Sequence, residues 1–143
     1  MKRIIAMAVL LSAGFVGGSF AADPIAARQN IMKNNGAAAG VGAKMVKGEM
    51  DFDPVAAQII FRTWNSAANG IVFLFPPGSE TGMDTKASPK IWEDMAGFEA
   101  AAAKLAAATS NVEITDLDSF KAAFGAAGQA CGGCHEAYRV KTN

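Results

Sequence analysis

Three dipeptides divide this chain: Asp23-Pro24, Asp53-Pro54 and Ser88-Pro89. In each, a side chain able to accept from helix N–H groups stands before a proline at the first helical position, where the missing N–H costs nothing. Each pair therefore predicts a helix start. A fourth start falls near Thr115 or Asp116, where acidic residues in the first turn suit the helix dipole. The stops are as legible: Gly48, then Phe75-Pro76-Pro77-Gly78, then Thr109-Ser110-Asn111, then the end of the sequence. The result is four helices of about 20 residues, joined by two short turns and one longer loop from Pro76 to Ala87. The expected fold is all-α, an antiparallel four-helix bundle.

Composition agrees with that reading. The 143 residues are 51% hydrophobic and 18% charged, with 13 basic residues against 13 acidic ones. Such a chain buries a core, so it is not a disordered segment, and its charge balance is not that of an electrostatic nucleic-acid binder. Few aromatic and β-branched residues set against many Ala and Gly favour close-packed helices. The run from Ala100 to Ala108 is low in complexity but strongly helical in composition. The first 21 residues read as a leader. Lys2 and Arg3 make a basic start, Ile4 to Leu11 an apolar run, and Ser19-Phe20-Ala21 a cleavage signal. The run is broken by Ser12, Gly14, Gly17 and Gly18 and falls short of a membrane span, which needs about 20 apolar residues. The expectation is a signal peptide over 1–21 and a single exported domain over 22–143, carrying 11 basic and 13 acidic residues.

Helical periodicity then assigns faces. On the second segment Ala57, Phe61, Trp64, Ala68, Val72 and Phe75 align, and on the third Ile91, Met95, Phe98, Ala102 and Leu105. Both are core stripes. On the first, Ile25, Arg28, Gln29, Met32, Gly36, Ala39, Ala43 and Val46 share a face, so a guanidinium and an amide intrude on a small, apolar surface. By itself that intrusion also fits an arginine snorkelling to water from the edge of the stripe.

The fourth segment carries the chemistry. Leu117, Phe120, Phe124, Gly128, Cys131, Cys134, His135 and Tyr138 lie on one face, so both sulfurs and the imidazole point at one buried space. Cys131-Gly132-Gly133-Cys134-His135 is a C-x-x-C-H haem-attachment motif. On a helix the i and i+3 sulfurs can form thioethers with the two vinyl groups of one porphyrin, while the adjacent imidazole reaches the iron. Three plainer readings compete. A thioredoxin-type redox pair belongs at a helix N-terminus after a strand, where the dipole activates the thiol, and this pair lies deep in the last helix. A structural zinc site wants four N/S ligands, and the chain has two cysteines and one histidine. A plain disulfide would leave His135 unexplained. Export, both cysteines and the one histidine meet in this motif, so covalent haem c, one per chain, is the expected cofactor. His135 is then the one histidine available to the iron.

The position of the motif, eight residues from the end of the sequence, resembles the class II c-type cytochromes, the cytochrome c prime family. The resemblance runs along the whole chain after residue 21. It rests on Arg28-Gln29 with Met32, on Phe75-Pro76-Pro77-Gly78-Ser79-Glu80, on Pro89-Lys90-Ile91-Trp92, and on Cys131 to Arg139 with Tyr138. It implies that Arg28 and Gln29 contact the haem propionates, that Met32 faces the open side of the iron, that the loop around Glu80 and Asp84 borders the haem, and that Arg139 lies near the proximal histidine. One departure is Gly132-Gly133, where many relatives carry a lysine; two helical glycines cost roughly 1 kcal/mol each relative to alanine.

Two functions then differ by one bond. With Met32 as a second axial ligand the protein is a low-spin electron carrier, to which Lys33-Asn34-Asn35-Gly36 and Cys131 to Glu136 show resemblance. With Met32 only lining the pocket, the iron is five-coordinate and binds a small gas such as nitric oxide. A non-haem helical adaptor is the foil, and it would make the motif a coincidence. The sequence shows no Ser/His/Asp set and no phosphate loop, so no enzyme is expected. The expected setting is the periplasm, with an unidentified redox partner, no nucleic acid, no membrane attachment of the mature form, and monomer or homodimer left open.

Overall fold

The computed structural model describes residues 23–141, so the leader expected over 1–21 lies outside the described part. Its helices are α1 (Pro24–Lys47), α2 (Pro54–Gly70), α3 (Lys90–Glu93), α4 (Met95–Thr109) and α5 (Leu117–Tyr138), with a 3-10 turn at Ile71–Leu74. There is no strand among the described residues; one isolated bridge joins Ala87 to Arg139. The four long helices form the bundle, with α2 packed on α1 and α4, and α4 packed on α5.

The caps form as their side chains dictate. Asp23 Oδ1 accepts from the N–H groups of Ile25 and Ala26 at 2.7 and 3.2 Å, and Asp53 Oδ1 does the same for Val55 and Ala56 at 2.8 and 3.1 Å. Gly48 closes α1 in the left-handed region, at φ 74°, where a side chain would be strained. Asp116 and Ser119 cap α5 reciprocally.

Three expectations need correction. The third helix is not continuous from Pro89: it breaks at Asp94, whose φ of −138° and ψ of 61° leave the helical region. Asp94 instead caps α4, accepting from the Gly97 N–H at 3.0 Å. The second helix tightens into its 3-10 turn after Gly70 and does not run as α-helix to Phe75. On α1 the buried face is also displaced from the predicted stripe. Ile25, Arg28, Gly42 and Met45 are buried, whereas Met32 and Gly36 are exposed. The physical reason is contrast: with Ala and Gly on every side, this helix has no strong apolar stripe, so its rotation is set by neighbours.

Two clusters make the core. At one end Met45, Ala57, Ile60, Phe61, Trp64, Phe120 and Ala127 pack together, with the Phe61 and Phe120 rings edge to face at 6.1 Å. Each fully buried phenylalanine contributes about 2–3 kcal/mol. Here α1 and α5 touch closely: a Cβ at Gly42 would collide with the Phe124 ring. At the other end Ile71, Phe75, Ile91, Phe98, Ala102 and Tyr138 form the second cluster, beneath the loop from Pro76 to Pro89.

Candidate haem site

The long loop is what joins the first helix to the last turn of the fifth. Arg28, 4% exposed, reaches into it from α1. Its Nη1 donates to the Leu74 carbonyl and Ser79 Oγ, both at 3.0 Å; its Nη2 donates to the Ser79 carbonyl at 2.6 Å and Thr85 Oγ1 at 3.0 Å. The guanidinium also lies 4.6 Å from the Phe75 ring centre and 5.7 Å from that of Trp92. This burial excludes the snorkelling alternative and pulls the guanidinium below its usual pKa, against the attraction of Asp23 and Glu80. Its Nε is buried with no hydrogen-bond partner. Gln29 Nε2 donates to the Met83 carbonyl at 2.7 Å.

From the other side, the Val140 N–H donates to the Lys86 carbonyl and the Ser88 N–H to the Tyr138 carbonyl, each at 2.9 Å. The loop is thus held by α1 at Ser79, Met83 and Thr85 and by the end of α5 at residues 86 to 88. Arg28 and the C-x-x-C-H turn, far apart in sequence, are brought to the same end of the bundle.

On α5 the face that sequence assigned to one buried space is in part open. Phe120, Ala127 and Tyr138 are buried and both cysteines are half-buried, whereas Gly128 and His135 are exposed. The true buried line is rotated toward Ala127, and the motif lies along its edge. Met32, 41% exposed, lies on the strip of α1 that α2 leaves uncovered, one turn from Arg28. Side chains built at Gly36, Gly128 or Gly132 would meet nothing within 4 Å. A groove of about 480 Å³ borders the motif, lined by Gly132, His135, Glu136, Arg139, Val140 and Lys141.

These residues fit a flat, largely apolar ring bearing carboxylates. Two sulfurs one turn apart and an imidazole edge an open strip on α5, a thioether lies on an open strip on α1, and a buried cation keeps one donor free. Burial pushes both thiols above their ordinary pKa, which keeps them protonated and is opposite to the activation a redox C-x-x-C pair needs. The His135 ring reaches solvent, yet partial burial and the charge of Arg139 hold it below the usual histidine range, so it is neutral and has a lone pair for a metal. Among the described residues no three His, Cys, Asp or Glu side chains converge into a metal cage of protein groups alone.

Asp84 is exposed and pairs with Lys86 at 2.8 Å at the loop tip, beside Met83, whose carbonyl accepts from Gln29. Glu80 Oε1 accepts from the Gly78 N–H at 3.1 Å and shapes the loop. Ser79 and Thr85 were not foreseen. Both are small polar residues that also bond within the loop, Ser79 to the Pro76 carbonyl and Thr85 to the Ala87 N–H, and the arrival of Arg28 from 51 and 57 positions away ties them to α1.

A helical bundle with a C-x-x-C-H turn at its open end is a c-type cytochrome of the bundle class. The profile of the Cytochrome C' family matches residues 23–139. The chain is 40% identical over 139 residues to a cytochrome c' of Rhodopseudomonas palustris, covering 96% of this chain and 94% of that one. It is 36% identical over 143 residues to a cytochrome c-556 of Agrobacterium fabrum, covering 97% and 96%. Among solved structures, cytochrome c' from Rhodopseudomonas palustris superposes with a TM-score of 0.81 at 41% identity, over 85% of this chain and 98% of that one. The chain belongs to the cytochrome c' family, and its cofactor is haem c. Its relatives are cytochromes, and it is not an enzyme.

Proposed function

We propose that the mature chain is a periplasmic electron carrier, in which Cys131 and Cys134 would hold haem c through thioethers and His135 and Met32 would be its iron ligands. The observation that carries this reading is the pairing of open strips: Met32 on α1 and the motif on α5 lie uncovered at the bundle end where the Arg28 Nε is buried without a partner. When bound, the haem supplies a one-electron iron couple, which is all a carrier needs. The chain's own work is to hold and tune it. His135 is kept neutral for ligation, and Arg28 offers its free donor to a propionate, with Gln29 steadying the loop beside it. Export rests on the leader pattern over 1–21; among the described residues no helix is long and apolar enough to cross a membrane. The redox partner is an unidentified protein.

The second reading, a five-coordinate gas binder, is favoured by the mobility expected of a methionine that nothing covers, and the relatives bear both the c' and the c-556 names. The optical spectrum decides. Under methionine ligation the native protein is low-spin, and Met32→Ala turns it high-spin and speeds carbon monoxide binding while the covalent haem stays. A native ferrous protein that is already high-spin at neutral pH overturns Met32 as ligand.

A further inference from the structure

His135 sits on the last full turn of a helix that ends at Tyr138, and terminal turns fray unless something ties them down. Here the tie is specific. The Tyr138 hydroxyl donates to Asp94 Oδ2 at 2.9 Å, from a ring that is buried and edge-on to Phe98 at 5.4 Å. The other carboxylate oxygen, Oδ1, accepts from the Gly97 N–H at 3.0 Å. Gly97 has its own reason: a Cβ there would run into the Tyr138 hydroxyl and the Asp94 carboxylate. The Ser88 N–H on the Tyr138 carbonyl holds the same residue from the loop side.

Two features that sequence left unexplained now have one cause. The helix breaks at Asp94 so that its carboxylate can cap α4 with one oxygen and receive Tyr138 with the other, and residue 97 is bare so that the phenol can enter. The stack continues from Phe98 to Phe75 at 4.8 Å, and from Phe75 to the Arg28 guanidinium at 4.6 Å. The end of α5 is thereby referenced, ring by ring, to the helix that carries Met32.

We propose that Tyr138, seated in the Asp94–Gly97 notch, is a positioning residue for His135, setting the orientation in which the imidazole meets the iron. This rests on His135 being the iron ligand, and the test separates the two. In a Met32→Ala background the ferrous iron has no methionine ligand under either reading of Met32, so its iron–histidine stretching band reports the imidazole alone. Tyr138→Phe keeps the ring and removes the anchor; Asp94→Asn keeps the cap through its amide oxygen and turns its NH2 to donate to the phenol oxygen, so the tie is kept with its direction reversed. The expected result is a displaced, broadened band in Tyr138→Phe, a band close to the parent in Asp94→Asn, and no displacement in Gly42→Ala, which strains the opposite end of the bundle. Amide exchange over residues 135–140 of the haem-loaded Tyr138→Phe protein should speed up about 5-fold, the size of one net hydrogen bond. An unchanged band in Tyr138→Phe, or an equal displacement in Gly42→Ala, overturns the proposal. A parent chain whose mass lacks covalent haem overturns the haem assignment itself.

Discussion

Arg28 shows how one side chain can be legible in kind and not in consequence. Its place on an apolar face marked it as unusual, yet four of its donor contacts go to the loop, and only Nε is left for a ligand. Removing it therefore acts twice. Arg28→Leu strands buried acceptors at Leu74 and Ser79, which should cost about 2–4 kcal/mol on a denaturant melt. It should also lower the reduction potential, because a propionate that loses its cation stabilises the ferric state. Arg28→Lys keeps the charge but not the fork, so it should fall between the two in both measurements. A potential that ignores both substitutions would reduce Arg28 to a loop clamp. Asp84 is legible only through family likeness: it is exposed beside Lys86 at 2.8 Å, at the loop tip whose Met83 carbonyl accepts from Gln29.

At the scale of the element, three of the four starts were readable because caps are local chemistry: Asp23, Asp53 and Asp116 each satisfy N–H groups within three residues. Rotation of the first helix was not. Two of its glycines make the point testable. Gly40 faces open space, so Gly40→Ala should gain up to about 1 kcal/mol from helix propensity alone. Gly42 faces the Phe124 ring, and there the clash outweighs propensity: Gly42→Ala should lose about 1–2 kcal/mol net. Thermal melts of the two variants should move in opposite directions. Equal shifts would mean that α1 is rotated differently in solution.

For the whole molecule, the two clusters divide the labour. The end built on Phe61, Trp64 and Phe120 packs α1 against α5 through protein alone, whereas the end built on Phe75, Phe98 and Tyr138 leaves strips of both helices uncovered. Changing Cys131 and Cys134 together to alanine should abolish haem retained after denaturation, seen as loss of haem stain on a denaturing gel. It should also lower helical content by circular dichroism, since a cofactor that binds only the folded state adds its binding energy to stability. Full haem retention in the double variant would refute covalent attachment.

Sequence by itself determined the starts at Pro24, Pro54 and Leu117, the helical class and the attachment motif, because caps, prolines and the spacing of Cys131, Cys134 and His135 act over a few residues. Tertiary structure alone decided the rotation of α1, the partners of Arg28 and the break at Asp94. Each of these turns on contacts between distant segments: Gly42 with Phe124, Arg28 with Ser79 and Thr85, and Tyr138 with an aspartate 44 positions earlier. Around Asp94 the local signals are mixed: aspartate is a good N-cap and Gly97 a poor helix former, yet the apolar stripe from Ile91 to Phe98 runs through unbroken. The break lets the carboxylate take both the Gly97 N–H and the Tyr138 hydroxyl, a pairing that only the approach of α5 makes available.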